Sequence, residues 1–252
     1  MATERRESVR KYILEKGEVQ LKELEVKYPN VSSMTLRRDL AYLENEGYII
    51  RTRGGAIPVN RVAGNGEDIY SLRAKENIDE KMKVAKKAVE LIETGRSIFI
   101  DSGTTMMCLA KLLPDDPLSI ITSGPNIALE IIKLHKPSVV IVGGQLSRNT
   151  LSTSGITSLN FIRNINIDIA FMATSGFSLE SGFTSGNFSE CELKKSIIQK
   201  ARKTIMLMDD RKIDKNMPFT FATLEDIDVL VCNTTLRDGI VRAAREAQVE
   251  IY

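Results

Sequence analysis

Apolar positions in the first sixty residues recur at helical spacing, with basic and small polar residues between them. Val9, Tyr12 and Ile13 predict the inner side of a helix over residues 3–16, closed by Gly17. Val19, Leu21, Leu24 and Val26 predict a second, shorter helix that braces a third. In the third, Leu36, Leu40 and Leu43 share one face, with Ser32 as N-cap and Val31 and Leu36 as a hydrophobic staple. The opposite face carries Met34, Arg38, Ala41 and Asn45, with Arg37 on the flank, where a solvated face usually carries mixed long charges. Gly47 ends this helix, and Tyr48–Arg53 reads as a strand turning at Gly54-Gly55.

A helix followed by a basic two-stranded wing is the pattern of a winged helix-turn-helix. In that pattern Ser32, Ser33, Met34, Thr35, Arg37 and Arg38 face the major groove of a duplex, and Arg51, Arg53 and Gly54 of the wing lie near phosphates. An ordinary amphipathic helix followed by a hairpin has the same spacing.

From Pro58 to about Asn77 sustained periodicity lapses, and Gly64-Asn65-Gly66 marks a turn or flexible link. Helical spacing resumes near Asp79 with Met82, Ala85, Val89 and Ile92 inward. Short apolar runs then alternate with helices. Strands are expected at Ser97–Asp101, Leu118–Ser123, Ser138–Val142, Asp168–Thr174, Thr204–Met208 and Asp228–Cys232. Helices are expected at Thr105–Leu113, Asn126–Leu134, Leu159–Arg163, Ser189–Ala201 and Arg237–Ala247. Apolar strands separated by helices indicate a parallel sheet covered on both faces. The expected class is α/β, with a winged helix-turn-helix domain over 1–57, a linker over 58–77 and a doubly wound parallel-sheet domain over 78–252.

Composition narrows this picture only a little. The chain of 252 residues is 42% hydrophobic and 27% charged, as in globular proteins, and no apolar run approaches the roughly 20 residues of a membrane span. Three scattered cysteines and a polar N-terminus without a secretory core point to a reduced, cytoplasmic chain. A single histidine, His135, offers no metal-ligand set, and no cofactor is expected. The whole +2 net charge resides in residues 1–57, which hold eleven Lys/Arg against nine Asp/Glu.

Candidate chemistry sits at the carboxyl ends of the expected strands, where doubly wound sheets bind ligands. At Asp101-Ser102-Gly103-Thr104-Thr105, Gly103 permits close backbone approach and three hydroxyls can donate, which makes a phosphate cradle. A capped turn without a ligand fits the same residues. Further turns there are Thr122-Ser123-Gly124, Gly143-Gly144 and the Thr174–Gly186 region. Glu190 and Lys194 share a helix face four apart and Lys212 follows the Thr204–Met208 strand; by itself the first pair could be a surface ion pair and Lys212 a solvated charge. Cys191 reads as a small buried side chain near that edge.

The segments TLRRDL and LENEGYIIRTRGGA resemble the recognition helix and wing of the DeoR family of bacterial transcription regulators. EKMKVAKKA, IFIDSGTT, VVIVGG, DIAFMATSGF and KKSIIQKARKTIMLMDDRK resemble that family's sensor domain, so the similarity covers nearly the whole chain. Three departures are visible. Tyr28-Pro29-Asn30 lengthens the turn before the recognition helix, Thr122-Ser123-Gly124 replaces Thr-Asn, and Asp209-Asp210-Arg211-Lys212 replaces Asp-x-Ser-Lys. The resemblance implies a double-stranded DNA operator as partner and a repressor released by a phosphorylated sugar. It also implies a sensor fold like that of ribose-5-phosphate isomerases. By position it makes Ser102–Thr105 the phosphate loop, with Asp101 nearby and Lys194 and Lys212 as pocket cations. Paired half-sites imply at least a dimer, joined through the sensor domain. The alternative is a sugar-phosphate isomerase using Asp101, Asp168, Glu190 or Asp209 as base, but no acid–base pair stands out, and neither common nucleotide-binding motif occurs.

Overall fold

The computed structural model describes residues 2–58 and 70–252, which fall in two compact units, Met1–Glu76 and Asn77–Tyr252. The first contains α1 (Ala2–Lys16), β1 (Val19–Gln20), α2 (Leu21–Lys27), α3 (Ser33–Asn45), β2 (Ile49–Arg51), β3 (Gly55–Pro58) and the single turn α4 (Tyr70–Arg73). Val9, Ile13, Leu24, Leu36, Leu40, Leu43 and Ile49 close its core. These side chains carry most of a small domain's stability, roughly 1.5–3 kcal/mol each when fully buried.

Two expectations for this unit are corrected. Val19 is not helical: it pairs with Ala56, so the wing is part of a three-stranded sheet in the order β1-β3-β2, with β3 central and β2 at the edge. Val26 does not brace α3 but is 82% exposed, because two residues beyond Leu24 is about 200° round a helix. The β1–β3 contact requires Gly55, since a Cβ there would lie 1.9 Å from the Val19 carbonyl oxygen. Of the expected linker, residues 59–69, including Gly64-Asn65-Gly66, lie outside the described residues. Its far end holds α4, with Leu72 buried.

The second unit runs α5 (Ile78–Val89), β4 (Ser97–Ile100), α6 (Thr104–Ala110), β5 (Ser119–Thr122), α7 (Pro125–Ile131), β6 (Ser138–Ile141), β7 (Gln145–Leu146), β8 (Thr153–Ser154), α8 (Ile156–Ile162), β9 (Ile167–Ala173), β10 (Gly176–Ser178), β11 (Gly182–Ser185), α9 (Phe188–Lys200), β12 (Ala201–Met208), β13 (Phe219–Ala222), β14 (Val229–Cys232), α10 (Asp238–Glu246) and β15 (Glu250–Ile251). Seven strands form one parallel sheet in the order β15-β14-β12-β9-β4-β5-β6. Successive residues of its central strands alternate between two cores, as the pleat requires. Phe99, Ala170, Met172 and Met206 enter one, and Ile98, Ile100, Phe171 and Ile205 the other. The inner face of α5 is Lys81, Val84, Ala85 and Ala88, so Met82 is only half-buried and the apolar stripe is rotated from the expected one.

Strand order places the switch in winding direction. From β4 the chain proceeds to β5 and β6 on one side, then returns to lay β9 against the other side of β4. α6, which follows β4, packs into one core through Met106 and Leu109, whereas α9, which follows β9, packs into the opposite core through Cys191, Leu193 and Ile197. Helices leaving adjacent strands for opposite faces open a crevice at the carboxyl ends of β4 and β9. Beyond that edge the Thr174–Gly186 region is no simple turn. It builds β10 and β11, which with β13 form a small antiparallel sheet, and Phe177 and Phe183 stack in it at 4.6 Å.

Candidate functional site

On α3 the Ser32 hydroxyl accepts from the Thr35 N–H at 3.2 Å, which caps the helix as expected. Ser33 is turned to another use, its hydroxyl donating to Glu25 on α2 at 2.5 Å. Met34 is 60% exposed and Thr35 half-buried. Arg37, Arg38 and Arg53 are exposed and make no hydrogen bond or ion pair with the described residues. Arg51 differs: its Nε–H donates to Glu44 Oε2 at 2.6 Å and its backbone N–H to Oε1 at 3.0 Å. These bonds, the backbone one first, hold the Glu44 carboxyl below the usual carboxylate range. Gly54 sits exposed at the wing turn. Between helix and wing lies a cleft of about 660 Å³ lined by Lys22, Arg37, Arg51 and Arg53 with Gly54 and Gly55. Three unpaired guanidinium groups on one helix and one wing give a surface suited to phosphates and base edges.

A residue that sequence reasoning missed sets the helix in place. Asp39, 1% exposed, accepts from Arg5 Nε at 2.6 Å and Arg6 Nε at 3.0 Å, which ties α3 to α1. The signal was an acidic residue between Leu36 and Leu40 on the buried side, opposite an arginine pair one helix away. Arg6 also lies 3.9 Å over the Tyr42 ring.

In the crevice between β4 and β9, Asp101 is buried and committed on several sides. Its Oδ1 accepts from the Ser102 N–H at 2.8 Å and its Oδ2 from the Ala173 N–H at 3.1 Å, and Lys194 Nζ donates to Oδ2. Lys194 also donates to the Ala173 carbonyl at 2.8 Å and lies 5.1 Å over the Phe221 ring. The surface pair that the spacing of Glu190 and Lys194 allows is therefore not what forms. Both side chains are buried, and Glu190 accepts from Thr150 and Ser152 instead, because α9 packs on one face of the main sheet and is covered there by β8, β11 and β13. Gly103 adopts φ +110° at the start of α6, a conformation other residues rarely take. The hydroxyls of buried Ser102, Thr104 and Thr105 make no hydrogen bond with the described residues. Lys212 is half-buried in the turn after β12, where its N–H donates to the Asp209 carbonyl at 3.0 Å. Asp209 is wholly buried, with Oδ2 unpaired.

The other sequence-derived candidates separate from this edge. Asp168 begins β9 and accepts from the Ser97 N–H, at the opposite end of the sheet from Asp101. His135 is exposed, its N–H donating to Asp115. Cys191 is buried, its thiol pushed up by burial and so not a nucleophile at neutral pH. No group of three His, Cys, Asp or Glu able to hold a metal ion occurs among the described residues.

A basic helix and wing on one unit, with a polar crevice at the switch point of a doubly wound sheet on the other, define a ligand-sensing DNA-binding protein. The chain belongs to the DeoR family of transcriptional regulators. The DeoR-like helix-turn-helix domain matches residues 5–62 and the DeoR C-terminal sensor domain residues 76–234. Its function is accordingly DNA-binding regulation of transcription and not catalysis. Relatives include the HTH-type transcriptional regulator GlpR of Haloferax volcanii, 35% identical over 81% of this chain and 80% of that one. The glycerol-3-phosphate regulon repressor of Escherichia coli is 28% identical over 99% of this chain and 98% of its own. Among solved structures the chain is similar to ribose 5-phosphate isomerase A from Methanocaldococcus jannaschii, at 19% identity and TM-score 0.41 over 55% of each chain. No helix of the described residues is long and apolar enough to cross a membrane.

Proposed function

We propose that this regulator is a cytoplasmic repressor of carbohydrate-metabolism genes that leaves its operator when a phosphorylated sugar occupies the crevice between β4 and β9. The observation that carries the reading is the coincidence of the winding switch with the Ser102–Thr105 turn, whose three hydroxyls stand free beside the Lys194–Asp101 pair. The hydroxyls and Gly103 receive the phosphate, and Lys194 and Lys212 supply positive charge. The names of the relatives agree, since one is a repressor of a glycerol-3-phosphate regulon. On the DNA side Arg37 and Arg38 read the major groove and Arg51 and Arg53 hold phosphates.

The test begins by selecting a binding sequence from a pool of random duplexes. The selected duplex is then titrated with the full chain in the presence of phosphorylated sugars or their free counterparts. One phosphorylated sugar should release the duplex and also stabilise the protein, by about 2.7 kcal/mol at 100 times its dissociation constant. Release by free sugars as effectively as by their phosphates would remove the phosphate from the reading. Failure to enrich any sequence would remove the operator.

A further inference from the structure

The edge of the parallel sheet formed by β6 is unlike its other strands. In a sheet covered on both faces every strand is buried on both sides, and β4 and β5 are so along most of their length. In β6, Val140 is 44% and Ile141 45% exposed, although adjacent residues point to opposite faces. The apolar surface extends from the strand in both directions. Leu129 of α7 is 67% and Ile132, at its C-terminal cap, 60% exposed, and beyond the strand Leu146 of β7 and Ile156 of α8 are also exposed. Ser158 of α8 donates to the Gly143 carbonyl at 2.6 Å, which keeps α8 beside the end of β6.

The backbone is open as well. The N–H groups of Ser138 and Val142 donate inward to Leu118 and Thr122 of β5. By alternation the N–H and C=O groups of Val139 and Ile141 point outward, where the described residues offer no further strand. Proteins guard such edges with charge, proline or a bulge. Here the run from Ser138 to Ser147 carries no charged side chain. Just beyond α7 the exposed Lys133 pairs with Glu130 of that helix.

We propose that this edge is the homodimer interface and that its occupant is the β6 edge of a second copy. Three features select a second copy over another partner. An uncharged strand meets itself across a two-fold axis without like-charge repulsion, and two parallel-sheet edges related by such an axis run antiparallel, which joins two seven-stranded sheets into one of fourteen. The charge-neutral α7 faces then meet over the same seam. The apolar surface, which spans a strand and the helices on both its sides, counts twice in such an isologous contact. A stable interface takes about 800 Å² per partner, and a monomer rarely leaves more than a few hundred Å² of contiguous apolar surface exposed. A two-fold also suits paired half-sites on DNA, and only this last point rests on the DNA-reading role proposed above.

The test is the mass of the full chain in solution without DNA, by sedimentation equilibrium, so that it stands or falls apart from operator binding. The wild-type chain should have the mass of two copies or an even multiple. Ile141→Lys, which sets two ammonium groups against each other across the axis, should weaken self-association by roughly 100-fold or more with an unchanged circular dichroism spectrum. To guard against misfolding of that variant, Val140→Cys and, as a control, Leu179→Cys are treated with a short bis-maleimide against the wild-type background. A linked dimer from the first and not from the second supports the seam. A monomeric wild type, full association of folded Ile141→Lys, or equal linking at both positions would overturn it.

Discussion

At the scale of single residues, Asp101 shows how one carboxylate ties together the elements around the proposed site. Two backbone N–H groups and the Lys194 ammonium converge on it from its own turn, from β9 and from α9. Removing one partner of a buried pair leaves the other uncompensated, at a cost of about 3–5 kcal/mol, and the two backbone donors place this case at the lower end. Lys194→Met should therefore lower the stability of the second unit by about 3 kcal/mol in urea unfolding and abolish release of DNA by the effector. A loss under about 1 kcal/mol would mean that the backbone N–H groups alone stabilise the carboxylate. Residue chemistry of this kind was half legible in the sequence. The hydroxyl-rich turn at 102–105 announced itself by composition and by its place after an apolar run. The partners of Lys194 did not, because they come from segments 93 residues and 21 residues away, and no local spacing encodes such a contact.

At the scale of elements, the recognition helix and the wing were legible because their signals are local: a serine cap, leucines at 3.6-residue spacing, and glycines where the chain turns. Their coupling was not, since it passes through Glu44 and Arg51, which cross from α3 to β2. The clamp also makes Arg51 unlike Arg37, Arg38 and Arg53, because in the free protein it already has an anionic partner. The depressed Glu44 carboxyl fixes the sign of a pH effect. A group whose pKa is lower in the folded than in the unfolded chain contributes stability that is present above its ordinary range and lost as pH falls through its folded value. Below the usual carboxylate range of about 4 the wing should loosen from the helix, and Glu44→Gln should remove that step from an acid titration followed by amide exchange at Arg51. The same variant should strengthen non-specific duplex binding at neutral pH by freeing one guanidinium and removing one negative charge, with a steeper salt dependence. An unchanged salt slope would mean that Arg51 does not reach phosphate. Short strands were the least legible elements. β7, β8, β10, β11, β13 and β15 have two to four residues each, and runs so short show neither alternation nor an apolar block. Only β15 extends the main sheet, and the others pair among themselves, brought together by the loops around them and not by their own composition.

At the scale of the whole molecule, the two compact units divide at Glu76 and Asn77, at the far end of the stretch from Pro58 where periodicity lapses. The winding order was not legible in the sequence, since alternating strands and helices fit several orders of a parallel sheet. Function at this scale depends on linkage between the two units, and linkage has a consequence that contacts alone do not. If a phosphorylated sugar weakens operator binding by a given factor, the operator must weaken binding of that sugar by the same factor, because both are the one coupling free energy, commonly about 1–3 kcal/mol or 5–150-fold. Calorimetric titration of the sugar into the free chain and into the chain saturated with operator should thus differ by the factor found in the DNA titration. Equal sugar affinities in the two states, alongside sugar-dependent release of DNA, would mean that the sugar acts somewhere other than on the equilibrium between DNA-competent and DNA-incompetent arrangements. The Lys194→Met variant sharpens the comparison. If the crevice is the effector site as proposed, it removes the effector arm of the cycle and leaves Arg37, Arg38 and the wing untouched, so its operator affinity should equal that of the wild-type chain without sugar.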